Sequence, residues 1–263
     1  MSEFTQRFMS SIILVPFVLI IVWVGSYWFI GLVTVITVVA GYEWLRLCNI
    51  TDPLAKFLLL LLGPFIAIAF IIVGYSAGII VLTLYLIISF LISDKYLSNK
   101  VWTLIGLLYL GLPTLSIFIL RSESEFGLQG IIFLFVMVWL SDAGGYIFGR
   151  LFGGPKLAPI ISPGKTWTGS FGALLLPVCF TYFSLFTVKY ELPMNIIVLA
   201  IIISISSQFG DLLESYIKRV FNKKDSGSII PGHGGLLDRI DGLLIASIVM
   251  IVILITKTGI LLL

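Results

Sequence analysis

Long apolar stretches set the main constraint on this chain. Crossing the hydrocarbon layer of a membrane takes roughly 20 consecutive apolar residues in a helix, and the sequence contains nine stretches close to that length. They lie near residues 9–29, 30–48, 55–73, 78–93, 100–120, 129–149, 168–188, 195–217 and 242–262. Only 11% of the residues are charged, whereas a soluble domain carries about a quarter. The sequence therefore predicts an all-α, polytopic integral membrane protein with about nine transmembrane helices.

The first apolar stretch is expected to remain in the mature protein. It contains Trp23 and Trp28, lacks a small-x-small cleavage site and is followed directly by another span. These features distinguish it from a cleavable signal peptide.

The distribution of basic residues predicts the orientation in the membrane, because cytoplasmic loops are enriched in Lys and Arg. With nine spans and a cytoplasmic N-terminus, all 16 Lys and Arg residues except Arg121, Lys189 and Lys257 fall on the cytoplasmic side. The net charge of +3 is thus explained by topology. No basic stripe with interleaved aromatic residues is present, so we expect no nucleic-acid partner.

Acidic residues near the ends of the spans indicate where a site lies. An ionisable group in a membrane span is costly and is a functional candidate by default. In the predicted topology the two longest polar loops, 150–168 and 218–241, are cytoplasmic. Four acids also lie toward that side: Glu43, Asp142, Asp211 and Glu214. We therefore expect one water-accessible site at the cytoplasmic ends of the C-terminal helices.

The first polar loop belongs to the segment WLSDAGGYIFGRLFGGPKLAPIISPGKTWTG, residues 139–169. Asp142 ends an apolar run in this segment. Ser162, Lys165 and Thr166 resemble a phosphate-gripping turn, in which hydroxyl, backbone N–H and ammonium groups face an anion. The spacing does not match a P-loop.

Glycines in the same segment have two interpretations. Gly144 and Gly145 follow Asp142 directly and allow another group to approach the backbone. Gly145 and Gly149 are also four apart on a predicted helix, which is typical of close helix packing through small residues. For the glycines the two interpretations are equally good.

The second polar loop begins at the end of a predicted helix. Asp211, Ser215 and Lys218 recur at i, i+4 and i+7 and share one helical face, with Glu214 and Arg219 on either side. On an exposed helix these groups would form a structural ion pair. This helix also crosses lipid, so its polar face must point at protein or water.

The segment PGHGG, residues 231–235, cannot continue a helix because it contains proline and three glycines. It presents His233 on a tight turn, where a structural role and a catalytic role are equally consistent with the sequence. Asp238 and Asp241 follow at i and i+3 on the last predicted helix. Two carboxylates beside an apolar span favour a bound cation.

The donor set predicts the kind of cation. Oxygen ligands without a cysteine cluster favour a hard ion such as Mg2+ over zinc or iron. We predict Asp211, Asp238 and Asp241 as its ligands. Because Mg2+ is usually held by one or two carboxylates and substrate phosphates, the pattern indicates a metal-phosphate site at a membrane surface.

These residues carry a resemblance to a known family. The run SYIKRVFNKKDSGSIIPGHGGLLDRID, residues 215–241, resembles the signature of the phosphatidate cytidylyltransferases, or CDP-diacylglycerol synthases. The matching positions are Ser215, Lys218, Arg219, Lys224, Asp225, Pro231, His233, Gly234, Gly235, Asp238, Arg239 and Asp241. The segment from Asp142 to Gly169 is also similar to the family, whose loop usually reads Ser-Pro-x-Lys-Thr-x-Glu-Gly. Thr168 stands here in place of the Glu.

The resemblance implies transfer of the cytidylyl group of CTP to phosphatidate, giving CDP-diacylglycerol and pyrophosphate. It implies Mg2+ with K+ as a second cation, and a homodimer in the lipid bilayer. It makes 131–263 the catalytic region and 1–130 a set of helices without motif. The catalytic groups would be Lys218, Arg239 and His233. The substrate-binding groups would be Ser162, Lys165, Thr166, Ser215, Arg219, Lys224 and Asp142.

Other classes of protein also place acids among membrane helices. An ion-coupled transporter carries them near the midplane, whereas here they lie toward one surface and no inverted repeat is evident. Polyprenyl transferases and CDP-alcohol phosphotransferases use aspartates with Mg2+, but their spaced aspartate motifs are absent from this sequence.

Overall fold

The structure is a computed structural model and describes residues 15–92, 97, 99–122, 126–187, 195–229 and 234–256. Within these ranges the chain forms nine helices and one small sheet. The helices are α1 Val15–Val24, α2 Ser26–Leu47, α3 Pro53–Val73, α4 Tyr75–Leu91, α5 Lys100–Ser122, α6 Gly127–Phe152, α7 Trp167–Thr187, α8 Asn195–Val220 and α9 Leu237–Ile255. The strands are β1 Lys156–Ala158 and β2 Ser162–Thr166. The predicted all-α class is confirmed.

Five helices within the described ranges are long and apolar enough to cross a membrane, namely α2, α3, α5, α6 and α8. Two further apolar helices, α1 and α4, are shorter. The protein is therefore a multi-pass membrane protein. The count of nine spans stays a prediction, although every predicted stretch overlaps a helix.

The boundary between the first two predicted spans is wrong. It was expected at residues 29 and 30, but the helix breaks at Gly25, whose φ of 67° is in the left-handed region. Arg121 covers the break: its Nε donates to the carbonyl of Val22 at 3.1 Å. A Cβ at position 25 would lie 2.2 Å from the guanidinium and would displace it, and the left-handed φ favours glycine there. The beginning of the predicted stretch 9–29 lies outside the described residues.

The described chain divides into two compact units. The first contains the described residues of Met1–Leu128 and Val220–Ile240, and the second those of Gln129–Arg219 and Asp241–Leu263. These units reflect contacts rather than activity, so the predicted functional division at residue 130 stays a prediction.

Helices α2 and α5 contact each other through buried polar groups in the first unit. Thr37 and Thr114 share a hydrogen bond of 2.7 Å between their hydroxyls. Trp44, which is fully buried, donates its indole N–H to the carbonyl of Trp102 at 3.0 Å. A Cβ on Gly106 would lie 2.4 Å from that indole nitrogen. The absence of a side chain at position 106 therefore makes room for the tryptophan.

In the second unit, glycines bring α6 and α7 into backbone contact. A Cβ on Gly144 would lie 2.2 Å from the carbonyl oxygen of Gly172. A Cβ on Gly145 would lie 3.6 Å from the side chain of Ala173, and one on Gly149 would lie 3.6 Å from Gly169. The helix-packing interpretation of the glycines is thus confirmed, with Gly144 at the tightest contact.

The first polar loop contains a structure that the sequence did not predict. Strands β1 and β2 pair antiparallel, with Lys156 opposite Thr166 and Ala158 opposite Ser162. The backbone N–H of Trp167 donates to the carbonyl of Pro155 at 3.1 Å, which fixes the base of the hairpin where α7 begins.

The glycine contact between α6 and α7 predicts a position that does not tolerate a methyl group. We expect Gly144→Ala to lower the free energy of unfolding by about 2 kcal/mol, because backbone must move to relieve the overlap. Thermal unfolding in detergent measures the effect. Gly31→Ala in α2 is the control, since no atom lies within 4 Å of its new Cβ. Equal unfolding temperatures for the two variants would contradict the packing.

Candidate functional site

The end of α8 carries the polar face predicted from the sequence. The helix is continuous to Val220. The hydroxyl of Ser215 lies 3.5 Å from Oδ1 of Asp211, and Ser215 and Lys218 are both buried. The three predicted residues Asp211, Ser215 and Lys218 therefore share one face of the helix, as their spacing indicated.

Glu214 is the partner of Lys218. The Nζ of Lys218 lies 2.7 Å from Oε2 of Glu214, whose side chain is fully buried. A buried acid of this kind is strongly destabilising unless a cation and hydrogen bonds compensate it. Lys218 thus pairs with Glu214, which the sequence placed beside the polar face, whereas Asp211 pairs with Lys165.

Lys165 joins the hairpin to α8. Its Nζ lies 2.6 Å from Oδ2 of Asp211. Arg219 makes a second connection, because its Nε donates to the carbonyl of Ile161 at 3.1 Å. Two segments that the sequence identified separately, 156–166 and the end of α8, are therefore in direct contact.

Thr166 has a structural role within this arrangement. It directly precedes α7, and its Oγ1 accepts the N–H of Gly169 at 3.1 Å, which is the bond of an N-cap residue. Ser162, at the other end of β2, is half-buried. The hydroxyl of Thr168 donates to the carbonyl of Gly153 and lies 3.0 Å from Oγ1 of Thr166, so it ties β2 to the end of α6.

Asp241 is placed beside α8 by two glycines. A Cβ on Gly210 would lie 2.5 Å from the carbonyl oxygen of Asp241, and one on Gly242 would lie 2.4 Å from Oγ of Ser207. The Oδ1 of Asp241 accepts the N–H of Gly242 at 2.7 Å. These two glycines belong to no motif. The sequence feature that could have identified them is a glycine directly beside an acid of the site: Gly210 precedes Asp211 and Gly242 follows Asp241.

Three acids in the second unit act electrostatically on a fourth, Asp241, and we call the four the acidic cluster. The members of the cluster are Asp142, Asp211, Glu214 and Asp241. Their excess of negative charge, and their oxygen-only donor set, fit a hard divalent cation.

Within the described ranges no three His, Cys, Asp or Glu side chains are arranged to hold a metal ion among themselves. Mg2+ does not require such a set, because it commonly takes one or two carboxylates and completes its shell with water and substrate phosphates. The acidic cluster therefore fits Mg2+ with a phosphate-bearing substrate.

The described residues of the signature segment between Val220 and Ile240 belong to the first unit. Lys223 attaches its beginning to the C-terminal end of α2: Nζ donates to the carbonyl of Leu47 at 3.1 Å and to Oδ1 of Asn49 at 2.8 Å. A third bond goes to the carbonyl of Arg46. A lysine at these carbonyls also complements the helix dipole.

Asp238 binds the turn that precedes it. Its carboxylate accepts the N–H of Ser226 at 3.0 Å and the N–H of Gly235 at 3.0 Å. Gly234 has a φ of 83°, a left-handed conformation for which glycine is favoured. The predicted role of Asp238 as a metal ligand stays a prediction.

Three further signature residues were predicted to act in the site. Lys224 and Arg239 are exposed, and His233 lies outside the described residues.

Glu43 makes contacts that no sequence motif indicated. It lies in α2, is 1% exposed, and accepts the N–H groups of Leu236 at 2.9 Å and Leu237 at 2.8 Å. The sequence identified an acid near the end of a span, but its position in a helix without motif gave no indication of a partner 193 residues away.

A family model described as "Cytidylyltransferase family" matches residues 5–256. The chain belongs to the cytidylyltransferase family. Proteins named phosphatidate cytidylyltransferase from Brucella suis biovar 1 (strain 1330) and Brucella melitensis biotype 1 are each 36% identical to it over 260 residues, covering 94% of this chain and 92% of each relative. One from Staphylococcus haemolyticus is 44% identical over 144 residues, covering 54% of each chain. The resemblance found in the signature is thus confirmed.

In this cytidylyltransferase, Thr168 departs from the Glu of the family pattern, and its bonds predict the consequence of losing the hydroxyl. Thr168→Val removes the bond to the carbonyl of Gly153, so we expect amide hydrogen exchange in residues 156–169 to become about 5-fold faster, as for a loss of about 1 kcal/mol. Thr168→Ser keeps the hydroxyl and should exchange like the wild type. Identical exchange in both variants would contradict the anchoring role.

Proposed function

We propose that this protein transfers the cytidylyl group of CTP to phosphatidate, forming CDP-diacylglycerol and pyrophosphate. Its family membership supports the cytidylyl transfer, and the names of its relatives support the lipid acceptor. The observation that carries the proposal is the 2.6 Å contact between Lys165 and Asp211. It brings the predicted phosphate-binding segment against the predicted metal-binding helix.

The reaction requires little activation of the nucleophile. A phosphate oxygen of phosphatidate attacks the α-phosphorus of CTP, the bond from that phosphorus to the β-phosphate bridging oxygen breaks, and pyrophosphate leaves. A phosphomonoester has its second pKa near ~6, so the nucleophile is mostly dianionic at neutral pH. No strong general base is needed. We propose that His233 orients a substrate group or donates a proton.

The chief obstacle is repulsion between two polyanions, which basic groups reduce. Lys165 and Lys218 each lie beside a carboxylate, so a substrate phosphate competes with Asp211 and Glu214 for their ammonium groups. Arg239 is exposed, and we assign it to the same task. Arg219, Lys224, Ser162 and Ser215 are proposed as further substrate contacts.

Asp211 and Asp241 are the residues of the second unit that would hold Mg2+, and Asp142 would orient a water or substrate group beside them. When bound, Mg2+ offsets the charge that develops on the leaving pyrophosphate. Asp238 remains the third predicted ligand on the strength of the signature, and K+ remains the predicted second cation.

We propose that the N-terminus and both motif loops are cytoplasmic. The excess of Lys and Arg in those segments supports this orientation, and CTP is a cytoplasmic nucleotide. A homodimer remains a prediction from the resemblance.

The reaction is tested with CTP labelled in the α-phosphate. We expect purified protein with phosphatidate and Mg2+ to transfer label into organic-extractable lipid. Asp211→Asn and Asp241→Asn should each reduce the rate by about 100-fold or more, since each removes a proposed ligand.

The matched control is Asp52→Asn. This acid occupies the N-cap position of α3 without a side-chain capping bond, and its variant should stay within about 2-fold of the wild-type rate. Uptake of solute into sealed vesicles without chemical change would favour a transporter instead. Label transfer that does not depend on phosphatidate would contradict the proposed acceptor.

Removal of divalent cations tests the metal. Because oxygen donors prefer hard cations, we expect a chelator to abolish label transfer and added Mg2+ to restore it, while thermal unfolding changes little. Full activity in excess chelator would show that the acidic cluster does not bind an essential ion.

A further inference from the structure

The carboxylate of Glu43 lies in a nest of donors from the signature segment. The N–H of Leu236 donates to Oε1 at 2.9 Å and the N–H of Leu237 to Oε2 at 2.8 Å. The hydroxyl of Ser226 donates to Oε2 at 3.3 Å. One side chain from α2 thus binds signature residues on both sides of 230–233, which lie outside the described residues. We call the described residues around it, 226–227 and 235–237, the signature turn.

The start of α9 explains why an acid suits this position. The first N–H groups of a helix have no partner within the helix, and together with the helix dipole they attract an anion. Such a terminus commonly binds a substrate phosphate. Here the protein's own carboxylate is bound to these N–H groups.

Two glycines of the turn are required by this contact. A Cβ on Gly227 would lie 2.5 Å from Oε1 of Glu43. A Cβ on Gly235 would lie 2.9 Å from Oε2, as well as 2.0 Å from the hydroxyl of Ser226. Both glycines therefore lie close against the carboxylate. Gly235 is a signature residue, and its contact with Glu43 of α2 explains why a side chain does not fit there.

We propose that Glu43 is a positioning residue for cytidylyl transfer, which holds the signature turn in the conformation that the reaction requires. The inference rests on the proposed function, since the signature turn flanks His233 in sequence and leads into Asp238 and Arg239. Glu43 itself touches no reacting atom. It acts through the backbone N–H groups of Leu236 and Leu237 and the hydroxyl of Ser226.

The proposal predicts a separation of kcat from KM. Misplacement of groups that act on the transition state lowers kcat more than it weakens substrate binding. Glu43→Gln keeps the size of the side chain but turns an NH2 group toward an N–H or hydroxyl donor. We expect kcat to fall by about 10-fold or more, with KM for CTP within about 3-fold of wild type.

The control is Thr37→Val. Thr37 is buried in the same helix and bonds to Thr114, so its variant also removes a buried hydrogen bond from α2. It should lower thermal stability without lowering kcat. Amide exchange supplies a second readout: Leu236 and Leu237 should exchange faster in Glu43→Gln and unchanged in Thr37→Val.

Two results would overturn the proposal. One is an unaltered kcat in Glu43→Gln despite faster exchange at Leu236 and Leu237. The other is a loss of kcat in Thr37→Val as large as that in Glu43→Gln, which would make both effects a matter of general stability. If Glu43→Gln does not accumulate as folded protein, Glu43→Asp replaces it, since it keeps the charge but is one methylene shorter.

The test also separates this inference from the proposed reaction. Suppose that the wild-type protein transfers no label but that Glu43 still protects the amides of Leu236 and Leu237 from exchange. This result would overturn the proposed reaction and the positioning role, and would confirm only the contact. If the wild type transfers label and Glu43→Gln has the same kcat, the positioning role alone is overturned.

Discussion

Burying carboxylates in a chain made largely of apolar residues is costly, and the polar parts of this structure depend on how that cost is met. Glu214 is compensated by the ammonium of Lys218 at 2.7 Å. Glu43 is compensated by neutral donors, chiefly the N–H groups at the start of α9. An unpaired charge in such surroundings would be strongly destabilising. Each compensation ties one segment of chain to another or fixes a helix end, so the acids organise the fold as well as the chemistry.

Glycine is the second device on which the polar segments depend. Gly144 and Gly172 allow two helices to touch through their backbones, and Gly210 allows the carbonyl of Asp241 to lie against α8. These contacts place Asp142 and Asp241 in the electrostatic surroundings that Asp211 shares. Glycines within the helices therefore help to bring the charged side chains close together.

The helical architecture and the polar face of α8 could be predicted because they depend on local periodicity. Hydropathy located every described helix, and the spacing of Asp211, Ser215 and Lys218 gave their common face. The break at Gly25 was not predicted, because the apolar pattern continues through it and its contact with Arg121 joins residues that are distant in sequence. The hairpin at 156–166 was missed because its strands are too short to show an alternating pattern. Glu43 was recognised as an acid near a span end, yet its partners are set by tertiary contact alone.

The attachment of the signature segment to α2 has a consequence for dissecting the protein into parts. The recognisable sequence features all lie after residue 130, which invites expression of that half by itself. Such a fragment would lack both Glu43 and the carbonyl groups that Lys223 binds. Its signature turn would have no anchor from α2. A chimera that joins the fragment to foreign N-terminal helices would need an acid where Glu43 lies and a helix end with free carbonyl groups where Lys223 binds.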